Sequence, residues 1–162
     1  MTDDWKIAVS ERGVTQLSLR RSRANQEPGF DEVNRRSEDS LARAKQELRD
    51  YFAGRIESFA VRYDISALSP FTQAVLRETA KIPYGQVRTY KWLAARLGKP
   101  KAARAVGNAL ARNPVPIIIP CHRVVRADGS VGPFALGSEW KKRLLELEKK
   151  FVKTEASSTN AE

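Results

Sequence analysis

Pro116-Ile117-Ile118-Ile119-Pro120-Cys121-His122-Arg123-Val124-Val125 contains the only cysteine and the only histidine of a 162-residue chain, side by side. A free thiol has a pKa near 8.5, so about a few per cent of it is the nucleophilic thiolate at neutral pH. A base or a positive field raises that fraction, and His122, Arg123 and Arg126 all follow the cysteine closely. Two prolines bracket the apolar run and fix where the chain turns out of a buried segment. Most free cysteines are small core hydrophobes. The unique imidazole next door and the surrounding cations favour a reactive thiol instead.

Upstream, Ser69 followed by Pro70 marks a helix start, because proline tolerates the first helical position. Phe71, Ala74, Val75 and Leu76 fill its first turns, and Pro83-Tyr84-Gly85 stops it. Two short helices follow, Thr89 to Leu97 and Lys101 to Arg112, separated by Gly98-Lys99-Pro100. That spacing predicts a helix-turn-helix. In its second helix Ala102, Val106, Ala109 and Leu110 can face a core, while Lys101, Arg104, Asn108 and Arg112 share the other side. A major-groove reader offers several long polar side chains to base edges. Here Arg104 and Asn108 stand among alanines and a glycine, which suits close approach to a minor groove with low sequence specificity. Spacing alone leaves two roles open for Arg104, a probe into the duplex or a phosphate contact.

Downstream, Val124-Val125-Arg126 and Ser130-Val131 flank Ala127-Asp128-Gly129, a hairpin signal. Gly132 to Gly137 reads as a loop whose Phe134 offers a stacking face. Glu139 to about Phe151 reads as an amphipathic helix with Trp140, Leu144, Leu147 and Phe151 on one side. Lys153 to Glu162 is small and polar, the pattern of a disordered tail.

The N-terminal half is patterned differently. Trp5 to Ser10 and Val14 to Leu19 alternate across Glu11-Arg12-Gly13, a β-hairpin pattern. Residues 20–36 read as a polar loop with a possible short strand. Ser37 can cap a helix carrying Leu41, Ala44, Leu48, Tyr51 and Phe52 on one face, and Gly54 ends it. Phe59, Val61, Tyr63 and Ile65 alternate with polar or small neighbours, which predicts another strand.

Charge divides the chain in the same place. The formal net charge is +10, from 29 Lys and Arg against 19 Asp and Glu. Residues 1–68 are balanced, so all of the excess lies in 69–162. Between Glu78 and Asp128 there is no acidic residue, yet ten basic ones fall there. A single-sign field of that length favours a polyanion, and nucleic acid is the usual one. One cysteine excludes an internal disulfide or a cysteine-rich zinc site and suits a reducing compartment. No apolar run reaches membrane length and the start is not a signal peptide, which predicts a cytoplasmic protein, nucleoid-associated in a prokaryote. No phosphate-binding glycine loop and no carboxylate cluster for a nuclease's magnesium are present. A thiol that works on a base must meet it outside the stack, so the target nucleotide would be flipped out.

These residues resemble the O6-alkylguanine-DNA alkyltransferases, or methylated-DNA–protein-cysteine methyltransferases. Asn113-Pro114-Val115 and the stretch from Pro116 to Val125 look like that family's active-site signature nearly residue for residue. Pro83-Tyr84-Gly85, Arg88-Thr89-Tyr90, Leu93-Ala94 and Ala102-Ala103-Arg104-Ala105-Val106-Gly107 resemble its helix-turn-helix, and Lys141 to Glu148 its closing helix. The likeness covers about residues 70–148 and is specific there; residues 1–66 share only length and pattern. It implies an α+β fold. Residues 1–66 would form a small antiparallel sheet with a helix, ribonuclease-H-like. Residues 67–152 would form a mostly helical, winged helix-turn-helix-like domain for DNA binding and alkyl transfer, followed by the tail 153–162.

The resemblance also implies roles. Cys121 would take the alkyl group from guanine O6, and from O4-alkylthymine as well; the thioether is not hydrolysed, so the protein would act once. His122 would be the base through a bound water, oriented by Glu148. Tyr90 would help rotate the nucleotide and hydrogen-bond the departing base, and Asn113 would be a hinge. Arg104 would fill the gap left by the flipped guanine in the minor groove. Lys91, Lys99, Lys101, Arg112 and Arg123 would contact DNA, with the Ala127 backbone at a further contact. Phe134, Pro120 and Val131 would line the pocket. No cofactor, metal or membrane is implied, and the protein would be a monomer on double-stranded DNA. Phe134 stands where many members have tyrosine, and Pro133, Leu136 and Ser138 replace residues that are often glycine or otherwise small or aliphatic, which points to a narrower or stiffer pocket. The alternative from another class is a lesion-binding sensor without transfer, as in alkyltransferase-like proteins; those lack the cysteine that Cys121 supplies. A thiol hydrolase would need an oxyanion hole that the sequence does not show.

Overall fold

The computed structural model describes residues 5–19 and 35–159; the loop expected from residue 20 lies outside them as far as residue 34. Strands β1 (Trp5–Ser10) and β2 (Gly13–Leu19) form the expected antiparallel hairpin, with a bulge between Ala8 and Val9. Gly13 sits at φ 136°, and a Cβ there would lie 2.5 Å from the Arg62 carbonyl oxygen. Only glycine fits such an approach. Helix α1 (Arg35–Phe52) buries Ala44, Leu48 and Tyr51 against the sheet. It begins ahead of Ser37, which is buried within the first turn instead of capping it.

The strand expected over Phe59 to Ile65 is absent. Val61 and Ile65 are buried, so the alternation did mark an inward side, but only Tyr63 pairs, as one bridge to Val14. The Glu47 carboxylate takes the Ala60 and Val61 amides at 3.2 and 2.9 Å, donors that a strand neighbour would need. Leu17, further along the same edge of β2, gives its amide to the Pro114 carbonyl at 2.8 Å. With both edges committed elsewhere, no third ladder forms.

In the other half, Ser69 caps helix α2 (Pro70–Thr79) by accepting the Thr72 amide, with Pro70 in the first turn. Thr89 caps helix α3 (Tyr90–Arg96) by accepting the Trp92 amide at 3.0 Å. Helix α4 (Ala103–Ala111) follows, and buried Val106, Ala109 and Leu110 pack it onto α2 and α3. The pair is the expected helix-turn-helix. Strand β3 (Arg88–Thr89) runs parallel to β4 (Val124–Val125), a ladder joining the start of α3 to the cysteine segment. The hairpin expected around Ala127-Asp128-Gly129 is reduced to its turn, where Gly129 N donates to Arg126 O at 2.9 Å and Arg126 N to Ser130 O at 3.0 Å, with no ladder beyond. Asp128 draws the Ser130 amide back into that turn at 2.9 Å, and Val124–Val125 pair with β3 instead.

Helix α5 (Ser138–Thr159) runs past Phe151 into the segment expected to be a disordered tail. No glycine or proline interrupts it after Gly137. It also joins the halves. Trp140 packs against Trp5 and Phe52, with ring centroids 5.4 and 6.2 Å apart. The Phe151 ring covers Gly54, where a Cβ would come within 2.3 Å of it. The architecture is α+β, with one two-stranded antiparallel sheet, five α-helices and a core shared by both halves among the described residues.

Candidate active site

Beyond α4 the chain must reverse within a few buried residues. Asn113 makes this possible with a three-way brace. Its Nδ2 donates to the Ile119 carbonyl and to Cys121 Sγ, both at 3.1 Å, and its Oδ1 accepts the Val115 amide at 3.0 Å. The amide orientation follows from those partners. Ile117, at the tip, holds φ 75°, a conformation that costs a β-branched residue about 1–3 kcal/mol and persists only when its surroundings enforce it. Cys121 then opens a 3₁₀ turn (Cys121–Arg123) whose side chains are all buried.

The sulfur is not held ionised by its neighbours, as the sequence suggested. Cys121 is only 4% exposed, and burial pushes its thiol up to about 11 despite the Asn113 hydrogen bond and the Lys141 charge. The resting group is a thiol, and a base must take its proton during reaction. His122 is fully buried, and burial keeps it below its ordinary value, hence neutral. Its Nε2 lies 2.8 Å from Glu148 Oε1. A carboxylate accepts, so the Nε2 carries the proton and Nδ1 presents its lone pair. That Nδ1 is buried with no hydrogen-bond partner among the described residues. It is the available base.

Glu148 is held by more than the histidine. Tyr51 donates to its Oε1 at 2.7 Å, Arg123 grips both oxygens through Nε at 3.1 Å, and the Gly85 amide reaches Oε2 at 3.1 Å. Burial alone would raise this carboxyl, but His122 and Arg123 take it down to about 2. Arg123 also donates to the Ile82 carbonyl at 2.7 Å. Its guanidinium therefore points inward, and the expectation that Arg123 contacts DNA is corrected: it pairs with the carboxylate instead.

On the other side of the sulfur, Lys141 is fully buried. Its Nζ donates to the Tyr90 hydroxyl at 3.4 Å and to the Pro133 carbonyl at 3.3 Å. Burial lowers this ammonium to about 8 and raises the Tyr90 hydroxyl. The Gly132 backbone lies over Tyr90, where a Cβ would sit 3.0 Å from the hydroxyl. Phe134 meets His122 edge-on at 6.3 Å. Pro120 is buried and Val131 half-buried beside them. Cys121, Asn113, His122, Glu148, Tyr90 and Phe134 are thus brought together.

Arg104, Lys91, Lys99, Lys101 and Arg112 are exposed on the helix-turn-helix, and Lys99 lies over the Phe71 ring at 5.1 Å. Tyr51 and Lys141 were not foreseen as site residues. Lys141 lies seven residues before Glu148, two turns along one helix face, and that spacing was its available signal. Tyr51 gave none, since it shares its stripe with Leu48 and Ala44. Among the described residues no cluster of three or more His, Cys, Asp or Glu could hold a metal, and no helix is long and apolar enough to cross a membrane.

Fold and site together define a class: a thiol with a neutral imidazole and an ionised carboxylate behind it, set next to a basic helix-turn-helix. Residues 70–150 match the DNA binding domain of the 6-O-methylguanine DNA methyltransferase family. The chain is 38% identical over 142 residues to the methylated-DNA–protein-cysteine methyltransferase of Methanosarcina barkeri, covering 88% of each protein. It is 38% identical to the constitutive enzyme of that name from Bacillus subtilis, covering 88% of this chain and 87% of the other. The crystal structure of Mycobacterium tuberculosis OGT in complex with DNA superimposes with a TM-score of 0.77 at 34% identity, covering 91% of this chain and 87% of that one. The chain belongs to the methylated-DNA–protein-cysteine methyltransferase family.

Proposed function

We propose that this protein repairs alkylated DNA by moving the alkyl group of O6-alkylguanine onto Cys121, once per molecule. The observation that carries the reading is the buried Cys121, braced by Asn113 and adjoining the His122–Glu148 pair, with Tyr90 across from it. His122 Nδ1 accepts the thiol proton through a bridging water, and Glu148, held in place by Arg123, stabilises the imidazolium that results. The thiolate then displaces the guanine, and the thioether remains. O4-alkylthymine offers a similar carbon to the same sulfur.

DNA binds as a duplex across α3 and α4, where Lys91, Lys99, Lys101 and Arg112 face its phosphates. Helix α4 starts without a side-chain cap, which leaves first-turn amides for a phosphate. Arg104, among alanines, enters the minor groove and replaces the flipped guanine. The protein acts as a monomer in the cytoplasm, at the nucleoid in a prokaryotic cell.

Intact mass after incubation with a duplex containing O6-methylguanine tests this. The expected result is one adduct of about 14 Da on Cys121, a methyl in place of a hydrogen. Binding without a mass change, or repeated turnover, would overturn it. Arg104→Ala should slow repair in duplex far more than reaction with free O6-benzylguanine; equal losses would remove the proposed role of Arg104.

A further inference from the structure

The Glu148 carboxylate is already well supplied from its own half of the chain. Arg123 grips both oxygens, His122 reaches Oε1 and the Gly85 amide reaches Oε2. A further donor nevertheless arrives from the opposite half. Tyr51 lies on the buried stripe of α1 with Ala44 and Leu48 and is wholly enclosed. Its ring packs against Phe59, Phe52 and Tyr84, with centroids 5.4, 5.5 and 6.1 Å away. A phenol held that firmly has a fixed aim. It donates to Glu148 Oε1 at 2.7 Å, the same oxygen that accepts the His122 Nε2 proton at 2.8 Å.

We propose that Tyr51 sets the basicity of His122: by sharing Glu148 Oε1 it draws charge from the oxygen that stabilises the imidazolium, and so keeps the ring unprotonated and ready for the thiol. Tyr51 acts through Glu148 and touches neither sulfur nor substrate, so it is a positioning residue. The inference rests on the reading of His122 as the base.

Two contacts of the phenol oppose each other, and their lengths decide between them. Its oxygen also lies 3.5 Å from His122 Nε2, where a lone pair would favour the imidazolium. That length is at the limit of a hydrogen bond, whereas 2.7 Å to a carboxylate is the short, charge-assisted kind, about twice as strong as a neutral one. Withdrawal of charge from Oε1 therefore prevails. The other groups facing His122 are Glu148 and Lys141 from α5, Cys121 and Arg123 from its own turn, and the uncharged Phe134 ring from the 132–137 loop. Of these Glu148 favours a proton on the ring, while Arg123 and Lys141 oppose it, as burial does. Burial and the Glu148 charge raise the Tyr51 hydroxyl well above its ordinary value, so it remains a donor throughout. In Tyr51→Phe the Arg123 and Gly85 donors remain, so the carboxylate keeps its place and only the charge on Oε1 changes.

His122 is the only histidine of the chain, so in untagged protein the imidazole Cε1–H signal reports its protonation directly. NMR titration of Tyr51→Phe should show a midpoint raised by about half a pH unit, and the acid limb of transfer from an O6-methylguanine duplex should rise with it. Rates below the limb then fall about threefold, while the rate above it stays within about twofold of the parent. Leu17→Ala removes core packing from the same half but leaves the hydroxyl, and its midpoint should match the parent's. A midpoint that stays put or falls in Tyr51→Phe overturns the inference, and so does one that rises equally in Leu17→Ala. An unmoved limb with a lowered rate above it would also overturn it, since the phenol would then serve only to hold Glu148 in place. A raised midpoint in a protein whose parent leaves no methyl on Cys121 would instead sink the alkyl-transfer reading and leave the tuning intact.

Discussion

Helix α5 carries two buried charges seven residues apart on one face, and they are treated in opposite ways. Glu148 receives donors from Tyr51, His122, Arg123 and Gly85 at 2.7 to 3.1 Å. Lys141 reaches two oxygens at 3.3 and 3.4 Å and no carboxylate. Equal burial therefore leaves the carboxylate firmly charged and the ammonium easily discharged. The satisfied end fixes geometry around the imidazole; the unsatisfied end loses its charge at a lower pH than an exposed lysine. Compensation, and not burial alone, decides which group keeps its charge.

The sharpest way to break the contrast is Glu148→Ala. It strands Arg123 and His122 in the interior and should cost about 3–5 kcal/mol, read from the denaturant midpoint. A cost near that of an ordinary surface change would mean the network contributes little.

Acid probes the same end. An unfolded glutamate titrates near 4.3, and this one near 2 when folded, so its contribution is complete above the unfolded value and is lost as pH falls from there toward 2. The loss should be on the order of 3 kcal/mol, and Glu148→Gln should show a flatter acid limb. The lysine end gives a slope of the same sign in its own window, although there it is the charged form that folding disfavours. Its folded value is depressed from 10.5 to about 8, so the unfolded chain binds more protons in that window and stability should rise with pH across it. Lys141→Met should flatten that rise.

Tyr51→Phe removes one hydrogen bond to a charged group, with an expected cost of about 2 kcal/mol. Lys141→Met should be mildest toward stability, within about 1 kcal/mol of the parent, because an apolar chain of similar volume suits an undercompensated site. A large destabilisation by Lys141→Met would erase the distinction between the two ends.

What the sequence revealed follows the range of the interactions. The Ser69-Pro70 start, the Thr89 to Arg112 helix pair and the Cys121-His122 juxtaposition are local, and each stands where the residues alone placed it. Glu148 was reachable through resemblance. Phe59 to Ile65 failed because Glu47 and Pro114, distant in sequence, had taken the hydrogen bonds that a strand would have used. The ionised thiol failed for a similar reason: nearby cations in sequence do not offset burial in space, and Arg123 was spent on Glu148. Tyr51 is the extreme case, contacting a residue 97 positions away.

That tyrosine has a practical consequence. It sits in the half of the molecule that carries no reacting group, yet its phenol rests on the carboxylate that steadies the imidazole. Its ultraviolet signature should shift when the sulfur becomes a thioether and the charges behind it rearrange, giving an optical gauge of spent protein that needs no label.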